Sequence, residues 1–213
     1  MGGKVAVDLN AGKNLAGAFY QPKMVIMDPD CLNTLPDRVF SDGMAEVIKY
    51  GCIWDKALFE RIARLGARQG IMAHIEDILL ACCDIKRQVV ERDEKDTGLR
   101  MLLNFGHTLG HVYEKAYNYE TYTHGEAVAA GMVKAAELGT KLGVTPEGTA
   151  AELAAVLQKF SLPVEIRATR EDYAETLTKD KKSDGADISF IALREIGRAE
   201  AVKLKKQELL SLL

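Results

Sequence analysis

From Met44 to about Leu157 the apolar positions recur every three or four residues. Ile75, Ile78, Leu79, Cys82, Ile85 and Val89 make one such stripe, with charged residues filling the opposite side, which is the pattern of an amphipathic helix. The spacing predicts helices over residues 74–92, 101–117, 125–142 and 148–160. Ser41 or Asp42 ahead of Met44-Ala45-Glu46-Val47, and Asp55 ahead of Lys56-Ala57-Leu58, are N-cap candidates, because a short side-chain oxygen can accept from the unpaired N–H groups of a first turn. Two short helices should therefore meet near residues 51–54. Five or more packed helices predict a mainly α, multi-helix domain.

The two ends depart from this period. Around Gly17 and Pro22 it lapses, and Met24-Val25-Ile26-Met27 reads as a short strand with no partner inside the chain. Near the other end, Ile188-Ser189-Phe190-Ile191-Ala192-Leu193, then Gly197, then Ala199-Glu200-Ala201-Val202 reads as a β-hairpin, and Lys206–Leu213 as a closing helix. A short β segment at the N-terminus and a hairpin near the C-terminus thus flank the helices, and the start looks like the edge of something larger.

Charge removes some partners from consideration. Lys and Arg number 28 against 31 Asp and Glu, a net charge of −3, so there is no basic footprint for nucleic acid. No apolar run is long enough to span a membrane, and MGGKVAVDLNAGKN has no signal-peptide core; a cytoplasmic location without membrane association is expected. Cys31, Cys52, Cys82 and Cys83 have no Cys-x-x-Cys spacing and lie among apolar residues, which predicts reduced, buried thiols.

Candidate chemistry concentrates in Arg100-Met-Leu-Leu-Asn104-Phe-Gly-His107-Thr-Leu-Gly-His111. Spacings of four, three and four put Arg100, Asn104, His107 and His111 on one helical stripe. Gly106 and Gly110 each cost about 1 kcal/mol against Ala in a helix interior, so close approach of a backbone or ligand is expected there. Two histidines at i and i+4 can face a common metal or substrate, and can equally be half-buried polar residues. His124 opens an Ala- and Gly-rich segment, whereas His74 sits in a plain amphipathic stretch and reads as structural. Glu46, with Lys49 one turn on, is a further candidate ligand; a carboxylate with two imidazoles matches a catalytic zinc. Glu46 and Lys49 as a solvated pair, and Lys86-Arg87 as surface charge, are the structural alternatives. Gly2-Gly3-Lys4 and Gly12-Lys13-Asn14 could bind phosphate through backbone N–H groups but lack the full phosphate-loop spacing.

Five blocks in order carry a resemblance: Gly2-Gly3-Lys4; Gly12-Lys13-Asn14-Leu15-Ala16-Gly17-Ala18-Phe19-Tyr20-Gln21-Pro22; Ala45-Glu46-Val47-Ile48-Lys49; Gly98-Leu99-Arg100 with Asn104-Phe105-Gly106-His107-Thr108-Leu109-Gly110-His111; and His124-Gly125-Glu126. Together they resemble 3-dehydroquinate synthase, from Gly2 to about Leu193. The resemblance implies the helical C-terminal domain of that fold over residues 31–213, with residues 1–30 the last piece of a Rossmann-like NAD-binding domain. It implies a lyase of the shikimate pathway, in aromatic amino-acid biosynthesis, that depends on NAD and zinc, with cobalt as a substitute. The reaction takes 3-deoxy-arabino-heptulosonate 7-phosphate to 3-dehydroquinate and phosphate. By position, Glu46, His107 and His124 resemble the zinc ligands. Lys49, Lys86, Arg100, Asn104 and His111 fall at substrate contacts, His111 as the candidate for moving a hydroxyl proton, and Lys181 or Lys182 at the phosphate end. Lys4, Lys13 and Asn14 belong to the tail of the nucleotide site, Lys4 also falling among the substrate contacts.

In that family a Rossmann-like domain lies ahead of the Gly-Gly-Lys block, whereas here Met1 stands directly before it. The expectation is a chain that holds the zinc ligands but turns over only with an N-terminal NAD-binding domain, in cis or in trans, in an assembly that is homodimeric as is common in the family. Other sugar phosphate cyclases, such as 2-deoxy-scyllo-inosose synthase, share the ligand set; Arg100 with Asn104 favours the carboxylate of the heptulosonate. The iron-dependent alcohol or glycerol dehydrogenases use Asp where Glu46 stands. A metal-stabilised helical module without catalysis is the non-enzyme alternative.

Overall fold

A computed structural model describes residues 3–9, 12–95, 98–179 and 187–213, with only the backbone at 8, 12–15, 178 and 179. Val5-Ala6-Val7-Asp8-Leu9 alternates as a strand should, and Lys4–Leu9 (β1) pairs antiparallel with Gly12–Phe19 (β2). Val5, Val7, Leu9 and Phe19 remain exposed, so this ribbon has no core of its own. The strand expected at Met24–Met27 is not formed: these residues are exposed and belong to neither helix nor strand. A short apolar run without a neighbouring edge has nothing to pair its N–H and C=O groups with.

Helix α1 runs Asp37–Ile53, starting after Pro36 and a 3-10 turn at Pro29–Thr34. Pro36 sets the entry angle and Asp37 favours the positive end of the helix dipole. Ser41 and Asp42 therefore lie within α1 and do not cap it, a correction to the sequence expectation. Asp55 does cap α2 (Lys56–Leu65), accepting from the Leu58 N–H at 3.0 Å. There follow α3 (Arg68–Met72), α4 (Ile75–Arg92), a 3-10 turn at Leu99–Asn104, α5 (His107–Ala116), α6 (His124–Lys141), α7 (Thr149–Gln158) and α8 (Arg170–Lys179). The hairpin of β3 (Asp187–Glu195) and β4 (Arg198–Lys205) and the closing α9 (Lys206–Leu212) end the chain as the pattern predicts.

The core is built around α6, buried on nearly every side through Ala127, Val128, Ala129, Ala130, Met132, Ala135, Ala136 and Leu138. Small side chains let α1, α5, α7 and β3 close around it. The single helix expected over residues 101–117 is broken: Gly106 takes φ +78°, and α5 begins only at His107. Arg100 and Asn104 are thus in a separate 3-10 turn and do not share a helical stripe with the histidines. A side chain at Gly106 would have both an unfavourable φ and the Val128 carbonyl oxygen 2.9 Å from its Cβ. Across the contact, a Cβ on Gly131 would run into the Gly106 carbonyl oxygen. Gly131→Ala should therefore destabilise the fold by about 1–2 kcal/mol through backbone displacement, a fall in Tm of about 2–8 °C by differential scanning calorimetry.

All four cysteines are free thiols. Cys52 is buried and Cys82 and Cys83 partly so, but Cys31 is exposed in the 3-10 turn before α1, against the expectation of four core thiols. Among the described residues, no helix is long and apolar enough to cross a membrane.

Candidate active site

Three elements bring the candidate ligands together. α1 carries Glu46, and its first half docks on the start of α6. Arg38 donates to both Glu126 carboxylate oxygens at 2.7 Å and to the Thr121 carbonyl at 2.9 Å. The Gly125 N–H donates to Asp42 Oδ1 at 2.6 Å. Glu126 also closes a capping box with Thr123, so His124 occupies the first position of a well-capped helix. The Gly106 turn brings His107 to the first position of α5 without a side-chain cap.

Glu46 Oε1 lies 3.3 Å from His107 Nε2 and 3.8 Å from His124 Nε2. One donor atom from each of Glu46, His107 and His124 falls within 4.8 Å of the other two. Two ligands about 2.0–2.1 Å from one tetrahedral ion stand roughly 3.3 Å apart, so the spacing suits a shared cation. His111 is outside this group although it lies one turn from His107; its Nδ1 is held by Glu114 at 2.7 Å.

The hydrogen bonds to the two rings fix which of their nitrogen atoms carries the hydrogen. His107 Nδ1 lies 3.2 Å from the Phe105 carbonyl, which can only accept, so Nδ1 carries the hydrogen. His124 Nδ1 lies 3.2 Å from a Glu114 oxygen, with the same consequence. In the neutral rings both Nε2 atoms then present lone pairs toward Glu46 Oε1, which is buried and has no hydrogen donor among the described residues. Three acceptors face one another, and a positive charge between them is what the arrangement lacks. A proton on His107 would serve, but burial pushes its pKa down, against the opposing pull of Glu46. A divalent metal would fit there, and Glu46, His107 and His124 are the residues that would hold it.

Lys49 fixes the other oxygen of the carboxylate. Its Nζ donates to Glu46 Oε2 at 2.5 Å from a side chain only 4% exposed, so Oε1 is the oxygen turned to the two rings. Burial lowers the Lys49 pKa against the pull of Glu46, and the Lys86 charge lowers it further, which puts the partly buried Lys86 within electrostatic reach. Burial would raise the Glu46 carboxyl, but the Lys49 ammonium, together with the His107 ring whenever that ring is protonated, holds it far below the usual carboxylate range. Arg100 is buried; its side chain donates to the Glu94 carbonyl at 2.9 Å, and its backbone N–H to Asp93 Oδ2 at 2.9 Å. Asn104 and His111 are exposed, the His111 ring 5.9 Å from that of His107 and 6.2 Å from that of His124.

Lys4 is exposed on β1. Lys13 and Asn14 lie on β2 with side chains outside the described residues, as are Lys181 and Lys182 altogether. Sequence reasoning missed Arg38 and Glu114, and it read Asp42 as a cap for its own helix where Asp42 instead accepts from Gly125 at the start of α6. Of the missed residues only Glu114 left a signal, a His-x-x-Glu spacing that puts it one turn from His111.

Known proteins similar to this chain fall in one family of synthases and its structural neighbours. The family model described as 3-dehydroquinate synthase C-terminal matches residues 43–183, and the one described as 3-dehydroquinate synthase N-terminal matches residues 1–42. A 3-dehydroquinate synthase of Clostridium botulinum is 50% identical over 200 residues, 93% of this chain and 57% of that protein. One from Enterococcus faecalis is 44% identical over 210 residues, 98% of this chain and 59% of its own length. The chain thus spans less than two thirds of the relatives it matches. Among solved structures, 2-deoxy-scyllo-inosose synthase complexed with carbaglucose-6-phosphate, NAD+ and Co2+ superposes with TM-score 0.85 at 25% identity, covering 99% of this chain and 61% of that one. The 2-epi-5-epi-valiolone synthase of Streptomyces hygroscopicus subsp. jinggangensis, with NAD+ and Zn2+ bound, gives TM-score 0.84 at 25% identity, covering 100% and 61%.

Proposed function

The chain belongs to the 3-dehydroquinate synthase family, and from that premise we propose that it forms the metal- and substrate-binding part of an enzyme that converts 3-deoxy-arabino-heptulosonate 7-phosphate into 3-dehydroquinate and phosphate. The observation that carries the reading is the convergence of Glu46 Oε1 with the bare Nε2 atoms of His107 and His124, beside the buried ammonium of Lys49. When bound, the metal supplies Lewis acidity at a substrate hydroxyl and NAD a hydride acceptor.

The residues of the chain have separate tasks in this reading. The substrate carries a carboxylate and a phosphate monoester, roughly −2.5 to −3 in charge at pH 7, and Lys49, Lys86 and Arg100 offset it. Arg100, directed by its bond to the Glu94 carbonyl, and Asn104 orient the carboxylate. Lys181 or Lys182 meets the phosphate. His111 Nε2 accepts a hydroxyl proton, its Nδ1 hydrogen being engaged by Glu114. Lys4, Lys13 and Asn14 contribute to the nucleotide side.

We extend the reading to assembly. Residues 1–30 belong with an NAD-binding domain acting in cis or in trans, residues 31–213 form the helical domain, and the enzyme is a cytoplasmic homodimer. Exposed Val5, Val7, Phe19, Met24 and Ile26 support a covering domain at the N-terminal end. Identities of 44–50% to 3-dehydroquinate synthases against 25% to the two solved cyclases favour the heptulosonate over a hexose phosphate.

The test supplies the zinc-loaded chain with NAD and the NAD-binding domain of a clostridial relative, and follows phosphate release. Release from the heptulosonate phosphate alone is expected. Release from glucose 6-phosphate instead supports a different cyclase, and zinc binding without release from either supports a scaffold. Lys86→Ala should keep its zinc and bind the heptulosonate phosphate about 10–100-fold more weakly, the loss of one charged contact, by isothermal titration calorimetry.

A further inference from the structure

Glu114 would touch neither metal nor substrate, yet it is the acid packed between two of the three clustered rings. It lies on α5, one turn beyond His111, with its side chain 9% exposed. Its oxygens are divided between two imidazoles: Oε2 is 2.7 Å from His111 Nδ1 and Oε1 is 3.2 Å from His124 Nδ1. An ionised carboxylate only accepts, so both Nδ1 atoms carry hydrogen. A neutral imidazole has a single N–H, and both Nε2 atoms are then bare. One of them is the His124 atom that faces Glu46 Oε1; the other is the exposed edge of His111.

We propose that Glu114 is a positioning residue that holds His111 and His124 together in the Nδ1–H form, so that one carboxylate sets His124 to ligate a metal through Nε2 and His111 to accept a proton through Nε2. The His124 half rests on the metal reading above; the His111 half rests on its own hydrogen bond. The two functions are thereby joined. Any change that pulls Glu114 toward one ring frees the other to place its hydrogen on Nε2, which blocks ligation in one case and proton acceptance in the other. Glutamine shows why charge matters less here than having two acceptors. Its amide oxygen can accept from one Nδ1–H, but its NH2 group must donate to the second ring, whose hydrogen then moves to Nε2.

The test records long-range 1H–15N spectra of the histidine rings of the 213-residue chain, metal-free and zinc-loaded, and measures zinc affinity by competition with a chromophoric chelator. In the metal-free wild type both rings should show Nδ1–H. Glu114→Gln should turn one ring to Nε2–H, a reversal that a space-filling role for Glu114 would not produce. Glu114→Ala should release both rings and weaken zinc about 10–100-fold, as expected for an outer-shell partner. His111→Ala should leave zinc affinity within about threefold of wild type, since it breaks only the other arm. The proposal is overturned if both rings stay Nδ1–H in the Gln and Ala variants, or if Glu114→Ala binds zinc as the wild type does. A wild type with no zinc affinity would instead overturn the ligand assignment. The metal-free spectra still decide the tautomers in that case, and a bare Nδ1 on either ring ends the proposal.

Discussion

Glu46→Gln should lose zinc by more than the roughly 10–100-fold expected when an outer-shell partner is removed. Two effects act in the same direction. The bound state loses the negative charge that offsets the ion. The metal-free state gains a donor: the new NH2 group can reach the bare Nε2 of His107, 3.3 Å from the present Oε1, and satisfy the acceptor that otherwise waits for a cation. The amide oxygen can take the position of Oε2 beside Lys49, so packing is kept. Lys49 would be left without a counter-charge at 3% exposure and would shed its proton more readily, its pKa being already lowered by burial. Elemental analysis after dialysis, with circular dichroism to confirm folding, reads the outcome. His124→Ala should behave alike, and zinc retained by both at the wild-type stoichiometry would end the assignment of these ligands.

The parts of the fold that periodicity reached are those with a single buried stripe. The helices at 75–92, 124–141 and 149–158 fall within a residue or two of expectation, and the hairpin of β3 and β4 forms where expected, with β4 running on to Lys205. Periodicity failed where geometry is set by contacts far along the chain. Nothing in the spacing of Arg100, Asn104, His107 and His111 announces a break, yet the close seat of Gly106 on Val128 and Met132 forces a positive φ and ends the 3-10 turn there. That break is what brings His107 to a helix start. Among the described residues, the helix Arg170–Lys179 carries only Tyr173 and Leu177 as large buried residues, too few to mark a stripe.

The site was legible in part for the same reason. Residue types and spacings singled out Glu46, His107, His111 and His124, but spacing alone favoured His107 with His111, neighbours on one helix. In the fold His111 turns to Glu114, and His124 from the next helix meets Glu46. Arg38 and Asp42, which lock α1 onto the start of α6, lie more than eighty residues from their partners. No local pattern could have shown them. The exposed Cys31 shows the limit from the other side, because apolar neighbours in sequence did not make a core in space.

Lys49→Met should make the metal-free chain less stable while making zinc more effective at restoring it. Removing one member of a fully buried ion pair costs roughly 3–5 kcal/mol, because the other charge is left uncompensated. Here the Glu46 side chain keeps 34% exposure and water shares its charge, so the cost is set at about 2–3 kcal/mol, or about 4–12 °C in Tm. Methionine also removes the desolvation penalty of the ammonium, a second reason for the lower figure. The pH dependence has a definite sign. A carboxyl held below its unfolded value of 4.5 contributes stability that is present above that value and lost as pH falls through the folded one. Without Lys49 the Glu46 carboxyl is depressed less and has less to lose, so the gap between wild type and variant should be widest near neutrality and close as pH drops below 4.5. A divalent ion supplies the missing positive charge from the opposite side of the carboxylate, no longer repelled by the ammonium, so the rise in Tm on adding zinc should be larger in Lys49→Met than in the wild type. Thermal scans with chelator and with zinc at several pH values check both statements. An equal zinc-induced rise in the two proteins would mean that Lys49 and the metal do not share Glu46 as a common partner.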